Sequence, residues 1–196
     1  MRPNGQLRTY ASSGAVSVSQ PAVFLAAPYE QLLDPVTALI DPGWRRRLEL
    51  LRTGLLERRF DVFNAHHNER WGADWLPPHV CTPLDFAAIQ AADVVCAVVG
   101  APASGGVAVE LGWASALGTP CVLLLEQESR HTSLIHSLRT IVGVAEVLLP
   151  AEWSPGFIDS VAAEVERLAN QGTDRVPRVG PSTAGFVRRQ TRGEPR

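Results

Sequence analysis

The chain lacks several features, and each absence removes a class of function. It has three cysteines, Cys81, Cys96 and Cys121, an odd count with no CxxC pair among them. A disulfide framework is therefore not expected, and a reducing, cytoplasmic setting is. No apolar run reaches the ~18 residues of a membrane span, and the opening MRPNGQLRTYASSG has no apolar h-region of a secretory signal. A net charge of −2 is not the bulk positive charge of a nucleic-acid binder. Neither a nucleic-acid nor a membrane partner is expected, and an anionic ligand would need a local device to hold it. GxGxxG and GxxxxGK(S/T) are both missing, which disfavours Rossmann dinucleotide binding and P-loop chemistry. His66 and His67 are adjacent while His79, His131 and His136 are scattered, so no metal-ligand spacing appears. No metal or other cofactor is expected, and there is no internal repeat.

What is present fits one globular domain: 196 residues, 45% hydrophobic and 19% charged. Residues 1–20 are polar and Ser/Gly-rich and read as a flexible arm. Residues 171–196 mix Pro, Gly and Arg and read as a disordered tail, its arginines either solvated or an interaction element. Between them, over 21–170, strand and helix patterns alternate. AVFLAA (Ala22–Ala27) is a short apolar strand, and Trp44 to Arg59 carries a helical stripe of Leu48, Leu51, Leu55 and Leu56. DVFNA is a second strand. Thr82-Pro83 predicts a helix start running through Ala91. DVVCAVVG (Asp93–Gly100) is continuously apolar, as a central parallel strand buried on both faces should be. A helix from Ser104 to Leu117, strands at CVLLLE and Val144–Leu149, and a closing helix from Phe157 to Ala169 complete the pattern. The expected fold is α/β, a doubly wound, Rossmann-like parallel sheet of five strands with helices on both faces. Ligands bind beyond the carboxyl ends of such strands, which singles out the loops after Ala27, Ala65 and Gly100.

The third of these loops reads GAPASGGVAVELGWASALG. Ser104 can cap the following helix, and Gly105 and Gly106 leave its first amides uncovered. Free N–H groups at the positive end of a helix form a phosphate cradle. Glu110 lies four residues after Gly106, on the same helix face. With glycine at 106, a sugar-sized group fits between the loop and the Glu110 carboxylate. Two readings of Glu110 stand: a solvated early-helix glutamate favoured by the dipole, or a carboxylate with a chemical role on a helix whose neighbours are mostly apolar. A glycosidase would want a second carboxylate. Thr82-Pro83-Leu84-Asp85 fits a capping box, with Asp85 returning to the cap amide, and Asp93 fits a turn at the strand start. Asp85 is the better placed of the two, because its helix feeds the strand that delivers the Glu110 loop.

The run from Asp85 to Leu117 resembles the nucleoside 2-deoxyribosyltransferase-like superfamily, through the pattern D-x7-AD-V-V-x-A followed by S-x-G-V-x-x-E-L-G-x-A. VFLAAPYEQLLDP (Val23–Pro35) and FNAHHNERWGADWLPP (Phe63–Pro78) extend the similarity to the CMP N-glycosidases of nucleoside-antibiotic pathways, the mildiomycin and blasticidin S type. The resemblance spans roughly Val23 to Glu126. It implies hydrolysis of a nucleoside 5′-monophosphate to free base and ribose 5-phosphate, with CMP as substrate and no cofactor. It implies that Glu110 is the nucleophile forming a ribosyl ester and that Asp85 is the second catalytic carboxylate. Ser104 and Gly106 fall on the phosphate-binding turn, and Phe24 and Tyr29 on the loop that flanks the substrate. His66 falls on a recurrent polar position, where a satisfied loop histidine is the alternative. Trp71 and Trp75 either lid the base or pack in a core or dimer. A homodimer is implied, with Ser133 reaching a neighbour's phosphate. Glu30 stands where mildiomycin-type enzymes have a basic residue, and it could accept a hydrogen bond from an exocyclic amine. Rival functions are a nucleoside 2-deoxyribosyltransferase, a 2′-deoxynucleoside 5′-phosphate N-hydrolase and a non-catalytic nucleotide-binding module.

Overall fold

The computed structural model describes residues 20–100, 104–126 and 131–171. The arm and the tail expected from the sequence lie outside these, apart from Gln20 and Gln171. Five strands form one parallel sheet: β1 (Ala22–Ala26), β2 (Asp61–Phe63), β3 (Val94–Val98), β4 (Cys121–Glu126) and β5 (Val144–Leu149), in the order β2-β1-β3-β4-β5. The helices are α1 (Pro42–Glu57), the single turn α2 (Ala65–Asn68), α3 (Pro78–Ala91), α4 (Gly105–Ala116), the short α5 (Ser133–Ser137) and α6 (Pro155–Gln171). Among the described residues no helix is long and apolar enough to cross a membrane.

Strand periodicity of two sorts the core into two layers. Val23 and Leu25 of β1, Val94, Cys96 and Val98 of β3, and Val122 and Leu124 of β4 pack with α1 and α6 on one face. Phe24 and Ala26, Val95 and Ala97, and Cys121, Leu123 and Leu125 pack with α3, α4 and α5 on the other. All five β3 residues are buried without exposure, which explains the uninterrupted apolar run in the sequence. Each such side chain contributes ~1.5–3 kcal/mol by leaving water. Asp93, just before β3, accepts the Ala22 amide at 2.8 Å and pins the first two central strands together.

One boundary differs from expectation. The third helix begins at Pro78, not at Thr82, and Pro83 lies inside it. Pro77 and Pro78 supply a fixed entry, and the Cys81 amide returns to the Pro77 carbonyl at 3.0 Å. Pro83 lies only six residues into the helix, so the single N–H it withholds is tolerated. The Thr82 to Asp85 capping box therefore does not exist. Asp85 sits a full turn inside the helix, and its carboxyl is released from any capping duty.

Candidate active site

The chain passes from β1 outward to β2 and then returns across β1 to β3. The strand order thus reverses between β1 and β3, and a crevice opens beyond their carboxyl ends. A cavity of about 550 Å³ occupies it, the size of a small-molecule site. Its walls are the end of β1 with Tyr29 and Glu30, His66 and Glu69 from the α2 turn, one face of α3, and the start of α4. On α3, Pro78, Cys81, Thr82 and Asp85 line the cavity, spaced as one helical face. Gly106, Glu110 and Trp113 do the same on α4.

Glu110 and Asp85 meet here without a compensating cation. No arginine lines the cavity among the described residues, and the chain contains no lysine. Burial pushes the Glu110 carboxyl up to about 8, with the Asp85 charge adding to it. Burial, then the Glu69 charge, pushes Asp85 up to about 7. Glu110 Oε2 is buried with no hydrogen-bond partner. A fully solvated helix-end charge does not fit that oxygen, although the residue as a whole is partly exposed. A carboxylate left dry and unpaired costs stability, and such costs cluster at functional sites.

The opening of α4 is free for a ligand. Gly100 has φ +79°, a left-handed conformation that turns the chain out of the sheet. Ser104 is the N-cap residue but its hydroxyl makes no capping bond, and the first amides of the helix have no intrahelical partner. A Cβ built at Gly105 would meet nothing within 4 Å, and one at Gly106 only the Ser104 hydroxyl at 3.8 Å. Packing does not demand glycine at either place; their bareness leaves space over the helix end.

The opposite wall is aromatic. Tyr29 stacks on His66 with ring centroids 4.8 Å apart, and Trp75 continues the stack at 6.4 Å. His66 Nε2 lies 2.9 Å from the Pro28 carbonyl. A carbonyl only accepts, so Nε2 carries the proton. Burial holds His66 down at about 4 against that bond, so the ring is neutral near pH 7. Asn64 fixes the turn, accepting the His67 amide and donating to the Leu25 carbonyl at 3.1 Å.

Of the residues expected from sequence, Glu110, Asp85, Ser104, Gly106, Phe24, Tyr29, Glu30 and His66 all line this one cavity. Phe24 is itself core, 1% exposed and stacked on Phe63. Ser133, the first residue of α5, is exposed and is not part of the wall. Trp71 is buried core under the Arg45 guanidinium, while Trp75 lines the cavity and is 62% exposed as a residue. Sequence reasoning missed Glu69. It is 4% exposed, lines the cavity and acts electrostatically on both Tyr29 and Asp85. An acidic residue between a strand end and a tryptophan was the available signal. Among the described residues no group of three or more His, Cys, Asp or Glu side chains is arranged to hold a metal ion.

The family model described as nucleoside 2-deoxyribosyltransferase matches residues 55–172. No curated protein matches the chain in sequence. Among solved structures the chain is similar to "Solution Structure of BlsM", at 34% identity and a TM-score of 0.64, over 83% of this chain and 99% of that one. It is similar to a Clostridium botulinum CMP N-glycosidase, BcmB, at 29% identity and a TM-score of 0.53, over 74% of this chain and 98% of that one. A conserved protein from Enterococcus faecalis shares the fold, at 17% identity and a TM-score of 0.54, over 76% and 98% of the respective chains.

Proposed function

The chain belongs to the nucleoside 2-deoxyribosyltransferase family, and from that membership we propose that it is a nucleotide N-glycosidase, hydrolysing CMP to cytosine and ribose 5-phosphate. The observation that carries this reading is one cavity holding two uncompensated carboxylates, Asp85 and Glu110, next to a helix end whose serine hydroxyl and first amides are unused. The similarity to a CMP N-glycosidase favours cytosine as the base.

The phosphate sits on the α4 N-terminus, on the Ser104 hydroxyl and the amides that follow, where the helix dipole offsets its charge. This places C1′ one helical turn deeper, at Glu110. A Glu110 oxygen bonds to C1′ as the C1′–N1 bond breaks, through an oxocarbenium-like transition state. The bonding pair leaves with the base, which takes a proton from the Asp85 carboxyl. Water then attacks C1′ and gives a proton back to Asp85. The ester C1′–O bond breaks and returns Glu110 as carboxylate. Both carboxyls are raised, so near pH 7 the pair holds a proton, and the reactive form is the one with that proton on Asp85 and Glu110 ionised. Tyr29, His66 and Phe24 flank the substrate, and Glu30 stands at the mouth. Two copies pair through the outer faces of α3 and α4, with Ser133 assigned to the neighbouring copy's phosphate.

Incubation with the common ribo- and deoxyribonucleoside monophosphates, followed by chromatography for free base, tests the reading. CMP should release cytosine, and Glu110→Ala should reduce the rate at least ~1000-fold with the fold intact by circular dichroism. A variant keeping a tenth of the rate removes Glu110 from the mechanism. Base exchange in place of hydrolysis when a free base is added would make the enzyme a transferase.

A further inference from the structure

Tyr29 and Glu69 end in polar atoms to which no described residue gives a well-formed hydrogen bond. Tyr29 Oη and Glu69 Oε2 are both buried, and neither has a hydrogen-bond partner. The two groups face one another: burial pushes the Tyr29 hydroxyl up, and a side-chain contact with Glu69 and then the Glu69 charge add to it, but that contact falls short of hydrogen-bond geometry. The Leu76 amide bonds to the Glu69 carboxylate, and Oε2, which has no partner among the described residues, is the oxygen available to a ligand. Both side chains line the cavity. Native proteins seldom leave two adjacent buried polar atoms unsatisfied unless a ligand takes them.

Their position along the cavity is set by their neighbours. Glu69 acts on Asp85, and Asp85 acts on Glu110. Glu69 follows β2 and Ser104 follows β3, and these strands flank β1 on opposite sides, so Glu69 lies across the cavity from the start of α4. Ser104 and Gly106 lie at that start, on the helix that carries Glu110. A nucleotide with its phosphate on that helix end and C1′ at Glu110 therefore carries its base toward Glu69 and Tyr29. The Tyr29 ring, already in the His66 and Trp75 stack, offers the base an aromatic wall.

We propose that Glu69 and Tyr29 form the base-reading pair of the site, selecting bases whose edge presents an exocyclic amine beside a ring nitrogen acceptor. Glu69 Oε2 accepts from the amine, as carboxylates do from cytosine N4, and the Tyr29 O–H donates to the ring nitrogen. Uracil presents a carbonyl oxygen to Glu69 in place of the amine, so that two acceptors face each other in a buried site. Glu30, exposed at the mouth, is a weaker candidate for the same task because water competes for its oxygens. A site built to hydrogen-bond one substrate rejects the mismatched analogue strongly, because its own buried groups are then left unpaired.

This inference rests on the proposed nucleotide site but not on turnover, so it is tested by binding. Full-length Glu110→Gln is titrated calorimetrically with CMP and with UMP, alone and combined with Glu69→Gln, Tyr29→Phe or Glu30→Gln, each variant first shown folded by its melting transition. Glu110→Gln alone should bind CMP at least ~10-fold more tightly than UMP. Glu69→Gln should bring that ratio close to one, since an amide presents donor or acceptor with equal ease, and Tyr29→Phe should lower it by a smaller factor. Glu30→Gln should leave it unchanged. A ratio that survives Glu69→Gln, that is absent from the start, or that falls with Glu30→Gln instead overturns the assignment. Failure of the wild type to release base from either nucleotide, with the binding preference intact, removes the proposed reaction and leaves the base-reading pair standing.

Discussion

At the scale of single residues, the site is costly to fold, and the cost has a definite pH dependence. Glu110 has an ordinary carboxyl value of 4.5 that folding raises to about 8. Below pH 4.5 the group is protonated in both states and contributes no difference. Between about 4.5 and 8 the unfolded chain releases a proton that the folded chain keeps, so stability falls as pH rises. Above about 8 the folded state holds a buried charge, and the penalty is complete. Glu110→Gln removes the titration and should stabilise the protein by ~1–3 kcal/mol at pH 8, a rise in Tm of roughly 3–10 °C for a chain of this size. At pH 5 the gain should nearly vanish. Thermal melts of both proteins at the two pH values check this, and an equal gain at both removes the buried-carboxylate account. Glu110 was legible in the sequence because its partners in the argument, Ser104 and Gly106, are helical neighbours. Glu69 was not. Its burial arises when the α2 turn is pinned through Asn64 to the end of β1, a tertiary event that no local pattern encodes.

At the scale of elements, the start of α4 joins the proposed phosphate cradle to the proposed nucleophile through glycines that packing among the described residues does not require. Gly106→Val tests this directly. The added Cβ meets only the Ser104 hydroxyl, at ordinary contact distance, and valine is no worse a helix former than glycine. Stability should therefore change by less than ~1 kcal/mol. The branched side chain would instead project into the cavity where the ribose and phosphate are expected, so KM for CMP should rise at least ~10-fold while the melting temperature holds. An unchanged KM means that the nucleotide does not pass over this turn. The elements themselves were mostly legible from periodicity; the start of α3 was not. Thr82-Pro83 and Pro77-Pro78 both carry helix-start signals, and the earlier pair prevails because Pro83 comes soon enough after Pro78 to be accommodated. That single shift of boundary matters chemically. It moves Asp85 from a cap, where its carboxylate would be held by a backbone amide, to a helix face where it meets Glu69 and Glu110.

At the scale of the whole molecule, the sheet was legible because each strand is either alternating or continuously apolar, and parallel crossovers allow few arrangements. The cavity followed from the strand order, since a reversal between β1 and β3 fixes where a ligand can lie. What one chain does not explain is the outer surface of α3 and α4. Of the 14 residues of α3 and the 12 of α4, only Asp85 and Glu110 are Asp, Glu, Lys or Arg, and both line the cavity; the exposed His79 lies in the first turn of α3. The outer side presents Phe86 at 36% exposure, with Ala108, Gly112 and Ala116 also exposed, and Val109, half exposed, stands where this face meets the cavity. In a chain that is 19% charged, a two-helix face with no outward charge is poorly suited to permanent contact with water. Its small residues let a second pair of helices approach closely, and a twofold arrangement closes such a face on itself. Sedimentation equilibrium should therefore give twice the 21.2 kDa chain mass at micromolar concentration. Gly112 is the place to break the pair, because a Cβ there meets nothing within 4 Å among the described residues. Gly112→Arg should give a folded monomer, since a guanidinium buried at the centre of an apolar interface without a partner costs several kcal/mol. If Ser133 serves the neighbouring copy, the monomer should also bind CMP more weakly and gain nothing further from Ser133→Ala. A wild type that sediments at the single-chain mass removes the dimer and leaves Ser133 without a substrate to reach.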